Sequence, residues 1–292
     1  MYELVQVGEK SYYINCPAKI GVYLSDENHV YLIDSGNDKD AGRKVRQILE
    51  KNNWHLKGIL NTHSNADHIG GNHYLQAQTG CKIFAGGIEA AFTRYPVLEP
   101  SFLYGGYPCK DLRHKFLMAQ ESNITDFSDE EFPKEVEVIP LLGHFFDMVG
   151  FRTPDGTVFL ADCISSKAAL DKYAVTFIYD VEAYLKTLDM VESMEAAMFV
   201  PAHAESSADV KELTAYNRKK VHEVAESILE ICTDPVNFER ILQKVFCKYG
   251  LAMNFEQYVL VGSTVRSYLS WMKDHGRVET VFEDNLLLWR TI

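Results

Sequence analysis

Nothing in this 292-residue chain approaches the roughly 20 apolar residues of a membrane span, which argues against a spanning role. The opening Met1-Tyr2-Glu3-Leu4 has neither a basic segment nor an apolar one after it, so no secretory leader is expected. Cationic residues are scarce. There are 29 Lys and Arg against 41 Asp and Glu, a formal net charge of −12. So acidic a chain repels polyanions, which speaks against nucleic acid and anionic membranes as partners. No cysteines are spaced as a CxxC pair: Cys16, Cys81, Cys109, Cys163, Cys232 and Cys247 are scattered. In a long chain without a leader they read as reduced, mostly buried cytoplasmic thiols. Internal repeats and low-complexity runs are also missing, which excludes repeat architectures and long biased segments.

What is present is a soluble, globular composition, 47% hydrophobic and 24% charged. The length suggests one large domain with a smaller unit attached. Short runs at Tyr12 to Asn15, Ile20 to Ser25 and His29 to Asp34 alternate apolar and polar residues as antiparallel strands do. Val45, Ile48 and Leu49 mark one face of a helix from Ala41 to about Asn53. Gly58 to Asn61 is a short buried strand entering a polar loop. A helix from Gly70 to Gln78 and a strand from Cys81 to Ala85 follow. Ile88 to Pro133, rich in proline and aromatics, breaks the rhythm and reads as an insertion packed over one sheet edge, a candidate lid. Strands resume at Val136 to Leu141, Met148 to Thr153 and Thr157 to Ala161. Asp180 then caps a helix, and the strand Ala197 to Val200 ends at Pro201-Ala202-His203.

The densest chemistry lies in Thr62-His63-Ser64-Asn65-Ala66-Asp67-His68-Ile69-Gly70-Gly71. Divalent metals need several convergent nitrogen and oxygen donors, and a tight loop between rigid elements can hold them. His63, Asp67 and His68 within six positions are too dense for a chance surface cluster. Gly70 and Gly71 let the next helix start close to that loop.

This segment resembles the HxHxDH signature of the metallo-β-lactamase superfamily, and the resemblance extends over about the first 205 residues. Leu32-Ile33-Asp34-Ser35-Gly36 looks like that family's early aspartate motif, in which Asp34 would brace the metal loop. Leu142-Gly143-His144, Phe159-Leu160-Ala161-Asp162 and Val200-Pro201-Ala202-His203 look like its later motifs, in the right order. The resemblance implies an α+β, four-layer αββα fold over residues 1–210, with an insertion at about 88–135. It implies one metal site from the positions of His63, Asn65 and His144, another from Asp67, His68 and His203, and Asp162 as the bridge.

One position departs from the signature: Asn65 stands where its second histidine falls. A carboxamide oxygen is a neutral and weaker zinc donor than imidazole. The expectation is one tight divalent ion and a second that is weak or absent. Zinc is the default, and the fold also accepts iron or manganese. A bound ion would lower the pKa of its water from about 15.7 toward about 7, with Asp67 orienting that water and accepting its proton. The implied reaction is hydrolysis of an ester, thioester, lactone, amide or phosphoester of a small or medium-sized substrate. Competing readings are a non-catalytic metal-binding or regulatory protein, which Asn65 makes worth testing, and an iron-dependent oxidoreductase of the sulfur dioxygenase kind. In the insertion, Ser101 to Tyr107 could form a substrate wall or simply pack on its own domain.

Residues 211–292 change character. A long helix bears Leu213, Val221, Val224, Ile228 and Ile231. Helices from Phe238 to Tyr249 and from Phe255 to Asp274 follow, and a hairpin turns at Glu283-Asp284-Asn285. That order suggests a winged-helix-like extension. Its candidate recognition helix carries only Arg266 and Lys273 as basic residues, without the basic stripe of a DNA reader. It is therefore expected to serve packing or homodimerisation.

Overall fold

The computed structural model describes residues 2–292. Strands β1 (Glu3–Gln6), β2 (Ser11–Asn15), β3 (Ile20–Leu24) and β4 (His29–Ile33) form an antiparallel meander. Helix α1 (Lys39–Lys51) crosses over to β5 (His55–Leu60), which lies parallel to β4. After α2 (Ala66–Ile69) and α3 (Asn72–Thr79) comes β6 (Lys82–Phe84), parallel to β5. The insertion supplies α4 (Gly87–Arg94), α5 (Leu98–Tyr104) and the edge strand β7 (Ile124–Thr125) of a seven-stranded sheet.

The second sheet has four strands: β8 (Glu137–Pro140), β9 (Val149–Arg152), β10 (Thr157–Ser165) and β11 (Met198–His203). Between β10 and β11 lie α6 (Lys167–Tyr173) and α7 (Val181–Ser193), the latter capped by Asp180, whose carboxylate accepts from Ala183 N at 3.0 Å. Helix α8 (Lys211–Ile231) leads into β12 (Val236–Asn237), α9 (Phe238–Tyr249), α10 (Phe255–Asp274), β13 (Val278–Glu283) and β14 (Leu286–Thr291). The last strands form a small sheet in the order β12-β14-β13. Two helices, a hairpin and a short first strand give this extension its winged-helix topology.

Strand alternation builds the layers. On the first sheet Ile14, Val22, Val30, Leu32, Ile59 and Ile83 point outward under Val45 and Leu49 of α1 and Leu75 of α3. Their neighbours Tyr13, Tyr23, Tyr31, Ile33, Leu60 and Phe84 point inward and meet Phe151, Phe159 and Val200 of the second sheet. Val158 and Leu160 face the other way, toward Tyr184 and Leu188 of α7 and Val224 and Ile228 of α8. The result is the α-β-β-α sandwich expected. Truncating a ring as buried as Phe159 to alanine would cost about 3–5 kcal/mol.

The outermost cluster continues without a break into the extension, through Ile241, Leu242, Val245, Phe246, Val261, Val265, Tyr268 and Leu269. Leu103, Leu112 and Leu117 of the insertion pack against Val259 of α10. The extension thus shares its core with the sandwich and buttresses the insertion. Two local expectations change. The stretch around Leu112 to Met118 is a short 3-10 turn (Lys110–Leu112) and irregular chain, with no longer helix. Strand β10 runs on past Asp162 to Ser165, with its register shifting around Ala161.

Candidate metal centre

The candidate residues leave the carboxyl ends of strands or interrupt them. Asp34 follows β4 in the left-handed region (φ 64°), where only short polar residues and glycine sit easily. The loop from Asn61 to Asn65 follows β5, and α2 carries Asp67 and His68. Gly70 lets this segment dock: a Cβ there would lie 2.3 Å from the Asn37 carbonyl carbon. His144 sits in the β8–β9 loop after Gly143, whose φ of 113° and approach to α7 (a Cβ would lie 2.2 Å from Tyr184 N) demand glycine. Asp162 follows Ala161, itself left-handed at φ 49°. That irregularity turns the carboxylate inward while Cys163 stays fully buried in the core, as expected. His203 ends β11.

Each imidazole has its Nδ1 engaged from outside the centre. His68 Nδ1 is 2.7 Å from Asp34 Oδ2, and His144 and His203 Nδ1 are each 3.0 Å from a backbone carbonyl, of Phe177 and Pro17 respectively. A carboxylate or carbonyl only accepts, so these three Nδ1 atoms donate. Thr62 Oγ1 gives its one proton to Asp34 Oδ2 at 2.7 Å, so it accepts from His63 Nδ1 at 2.9 Å. In the neutral rings all four Nε2 lone pairs are therefore bare, and they converge.

Asp162 lies at the middle. Its Oδ1 is 3.1 Å from His68 Nε2, and its Oδ2 is 3.2 Å from His203 Nε2 and 3.6 Å from His144 Nε2. Asp67 Oδ2 is 3.5 Å from His203 Nε2 and 3.8 Å from His68 Nε2. His144 Nε2 is 3.2 Å from Asn65 Oδ1. Donors at the usual zinc distances around a tetrahedron lie about 3.3 Å from one another, so the spacing suits ions between them.

The donor set passes a second test of fit. His63 Nε2, His68 Nε2 and Asp162 Oδ1 are buried without a hydrogen bond, the last two facing each other at 3.1 Å out of hydrogen-bond alignment, a costly state that divalent ions would relieve. Among the described residues three groups bring ligand atoms within 4.8 Å of one another: Asp34, His63 and His68; His63, His144 and Asp162; and Asp67, His68 and His203. In the first, Asp34 meets the Nδ1 face of His68 and braces it from behind. The second group contains Asp162, which also lies 3.1 and 3.2 Å from His68 and His203 of the third. His63 and His68 are fully enclosed, whereas the Asp67 and His203 side chains are 41% and 30% exposed. The centre opens on that side.

Charge reinforces the arrangement. Burial holds His63 and His144 below the ordinary histidine range, with the neighbouring His68 adding to the effect. At His68 the carboxylates of Asp162, Asp67 and Asp34 overcome burial and raise the ring well above that range. Asp162 pushes His203 up to about 10. Against burial, His68 and His203 hold the Asp67 carboxyl below its ordinary value, and His203 and His68 do the same for Asp162. Without an ion the two carboxylates favour the protonated form of His68 and His203, and bound cations would take over that role.

Two buried carboxylates of the insertion were not foreseen. Glu89 accepts from Ser64 N at 2.9 Å, Ser64 Oγ at 2.5 Å and Asp147 N at 2.8 Å, tying the two histidine loops together. Burial raises its carboxyl to about 7. Glu99 accepts from Asn65 Nδ2 at 2.8 Å, and burial, with Asp67 and Glu89 nearby, raises it as well. Their only trace in the sequence is a glutamate set among apolar and small residues, as in Gly87-Ile88-Glu89-Ala90-Ala91-Phe92. Of the supposed wall residues, Phe102 packs on Phe145, Phe146 and Tyr179 beside His144, while Tyr104 and Tyr107 are exposed.

Two packed sheets carrying a His and Asp cluster at their strand ends define a metal-centre scaffold. The family model of the metallo-β-lactamase superfamily matches residues 16–203, so the chain belongs to that superfamily. Its fold is similar to a β-lactamase domain protein from Burkholderia ambifaria (TM-score 0.74, 14% identity, 99% of this chain and 94% of that one). It is similarly close to a metallo-β-lactamase family protein from Thermus thermophilus (TM-score 0.73, 16% identity, 99% and 98%). In sequence it is similar to hydroxyacylglutathione hydrolases: 37% identical over 65 residues to that of Methylococcus capsulatus, and 39% over 72 residues to that of Rhodospirillum rubrum. These segments span 20% and 22% of this chain and only 25% and 28% of those enzymes. Among the described residues no helix is long and apolar enough to cross a membrane.

Proposed function

We propose that the chain is a metal-dependent hydrolase. The observation that carries this is the set of four Nε2 lone pairs gathered around Asp162, two of them also facing Asp67, with three buried atoms left without a hydrogen bond. His68, His203, Asp67 and Asp162 would hold one ion tightly. His63, His144 and Asn65, with Asp162 shared, would hold a second more weakly. Ions bound there would supply a water of lowered pKa and polarise a carbonyl or phosphoryl oxygen. Asp67, on the open side, would orient that water and accept its proton. Asp34 and Thr62 would keep His68 and His63 in the tautomer that points Nε2 inward. The catalytic unit would run to about residue 210, and the extension would support it from behind.

The substrate class is an ester, thioester, lactone, amide or phosphoester of small or medium size. Because short segments resemble hydroxyacylglutathione hydrolases, a hydroxyacylglutathione thioester is the first substrate to try. The test is to strip the protein of metal, reload it with zinc, iron or manganese, and screen it before and after. Turnover that appears on loading supports the proposal. Tight metal binding without turnover on any class would favour a regulatory role, and oxygen uptake with persulfides an oxidoreductase.

A further inference from the structure

Of the two buried insertion carboxylates, Glu89 is fully used in clamping loops, whereas Glu99 addresses a candidate ligand directly. Glu99 is 5% exposed, and its Oε1 accepts from Asn65 Nδ2 at 2.8 Å. An asparagine amide has two ends of nearly equal size, and only hydrogen bonding decides which one faces where. With its NH₂ on Glu99, Asn65 turns Oδ1 toward His144 Nε2, 3.2 Å away. His144 has committed its Nδ1 proton to the Phe177 carbonyl at 3.0 Å, so Nε2 presents a lone pair. Two acceptors at that distance repel each other unless a cation lies between them.

We propose that Glu99 is a positioning residue that locks the Asn65 amide with its oxygen facing inward. Asn65 then serves as the third donor of the weaker site, beside His63 and His144. The inference rests on the metal-site reading of Asn65. A flipped amide would present NH₂ to His144 Nε2, hydrogen-bond to it and occupy the lone pair the ion needs. With Glu99 ionised it would also set Oδ1 against Glu99 Oε1, two acceptors face to face. Glu99 itself is held firmly. Its helix is pinned by Phe102 against Phe145, Phe146 and Tyr179, and by Leu103 against Leu112, Leu117 and Val259. The insertion is thereby coupled to a candidate ligand through Glu99, and through Glu89 to the loops that carry His63 and His144.

The test is zinc titration of the full-length, metal-stripped protein against a chromophoric chelator, which resolves the two uptake steps. Glu99→Gln keeps the shape but brings an NH₂ that invites Asn65 to flip, and Glu99→Met removes the acceptor at similar volume without a buried charge. Both should weaken the weaker step by about 10–100-fold, as loss of a ligand's outer partner does, and leave the tighter step within about twofold. In an Asn65→Ala background Glu99→Gln should add nothing, because Glu99 acts through Asn65. A folded Glu99 variant with both steps unchanged overturns the proposal, as does an equal loss with and without Asn65. Wild-type protein that takes up one ion at every zinc concentration, or an Asn65→Ala variant that titrates like wild type, overturns the metal-site reading of Asn65 instead.

Discussion

Asp34→Asn exchanges one oxygen for an NH₂ in a side chain that meets the centre only from behind, and it should still weaken both ions. Asp34 accepts three hydrogen bonds, from Thr62 N at 2.8 Å, Thr62 Oγ1 at 2.7 Å and His68 Nδ1 at 2.7 Å. A carboxamide keeps one acceptor and turns two donors toward Thr62 Oγ1 and His68 Nδ1. His68 must then move its proton to Nε2, losing the inward lone pair, or leave an N–H facing an NH₂. The Thr62 hydroxyl, now receiving a proton, turns its own toward His63 Nδ1 and pushes that ring to the wrong tautomer too. Asparagine sits comfortably at φ 64°, so the backbone adds no strain of its own. Loss of an outer hydrogen-bond partner typically costs 10–100-fold in metal affinity. One ring is affected in each site, so each ion should weaken by about that factor, or about 1.4–3 kcal/mol. Chelator-competition titrations read both constants, and turnover at saturating metal should largely recover. Dissociation constants within about threefold of wild type would refute the tautomer argument, since each ring should cost tenfold or more. Turnover that stayed low at full occupancy would place Asp34 in the reaction itself.

Asp67→Asn should behave oppositely. Turnover of any hydrolysed substrate falls by about 10² to 10⁴ and stays low at matched metal occupancy, because the water loses its proton acceptor; near wild-type turnover would remove Asp67 from that role. Glu89 supplies a pH signature. Its folded carboxyl is raised to about 7 from an ordinary 4.5, so its stabilisation is complete below 4.5 and lost as pH rises through 7. Each tenfold change in proton affinity is worth about 1.4 kcal/mol, so wild type gives up roughly 3 kcal/mol over that range. Glu89→Gln cannot titrate, and its stability relative to wild type should improve by that amount between pH 4 and 8 in urea melts of metal-free protein. Parallel stability curves would contradict it. Truncation after Ile231 should uncover the side of the outermost cluster that Leu242, Val245, Val265 and Leu269 of α9 and α10 complete, and the product should aggregate. A soluble, monomeric truncation with wild-type metal binding would show that the extension is dispensable.

The sandwich was legible because period-two alternation and the strand-end motifs are local signals. Tyr13 beside Ile14, and Phe159 between Val158 and Leu160, record in sequence which layer each side chain enters. The His and Asp positions brought together in space lie in five short motifs, each readable where it stands. The edge strand β7 and the three-stranded wing were harder to read: Ile124–Thr125 and Val236–Asn237 are two residues each, and their pairing is decided by distant partners. The continuation of β10 beyond Asp162 depends on the left-handed turn at Ala161, for which alanine gives no hint. Glu89 and Glu99 lie within a stretch whose helices have weak patterns, and what makes them important is donors from loops 25 and 34 residues away. Burial and hydrogen-bond partners over such spans are tertiary facts.

The most direct test is anomalous diffraction at the zinc edge from crystals of the metal-loaded full-length protein. A strong peak should lie among His68, His203, Asp67 and Asp162, and a weaker one among His63, His144, Asn65 Oδ1 and Asp162. The absence of any peak within this cluster in zinc-saturated protein would contradict the account at its root.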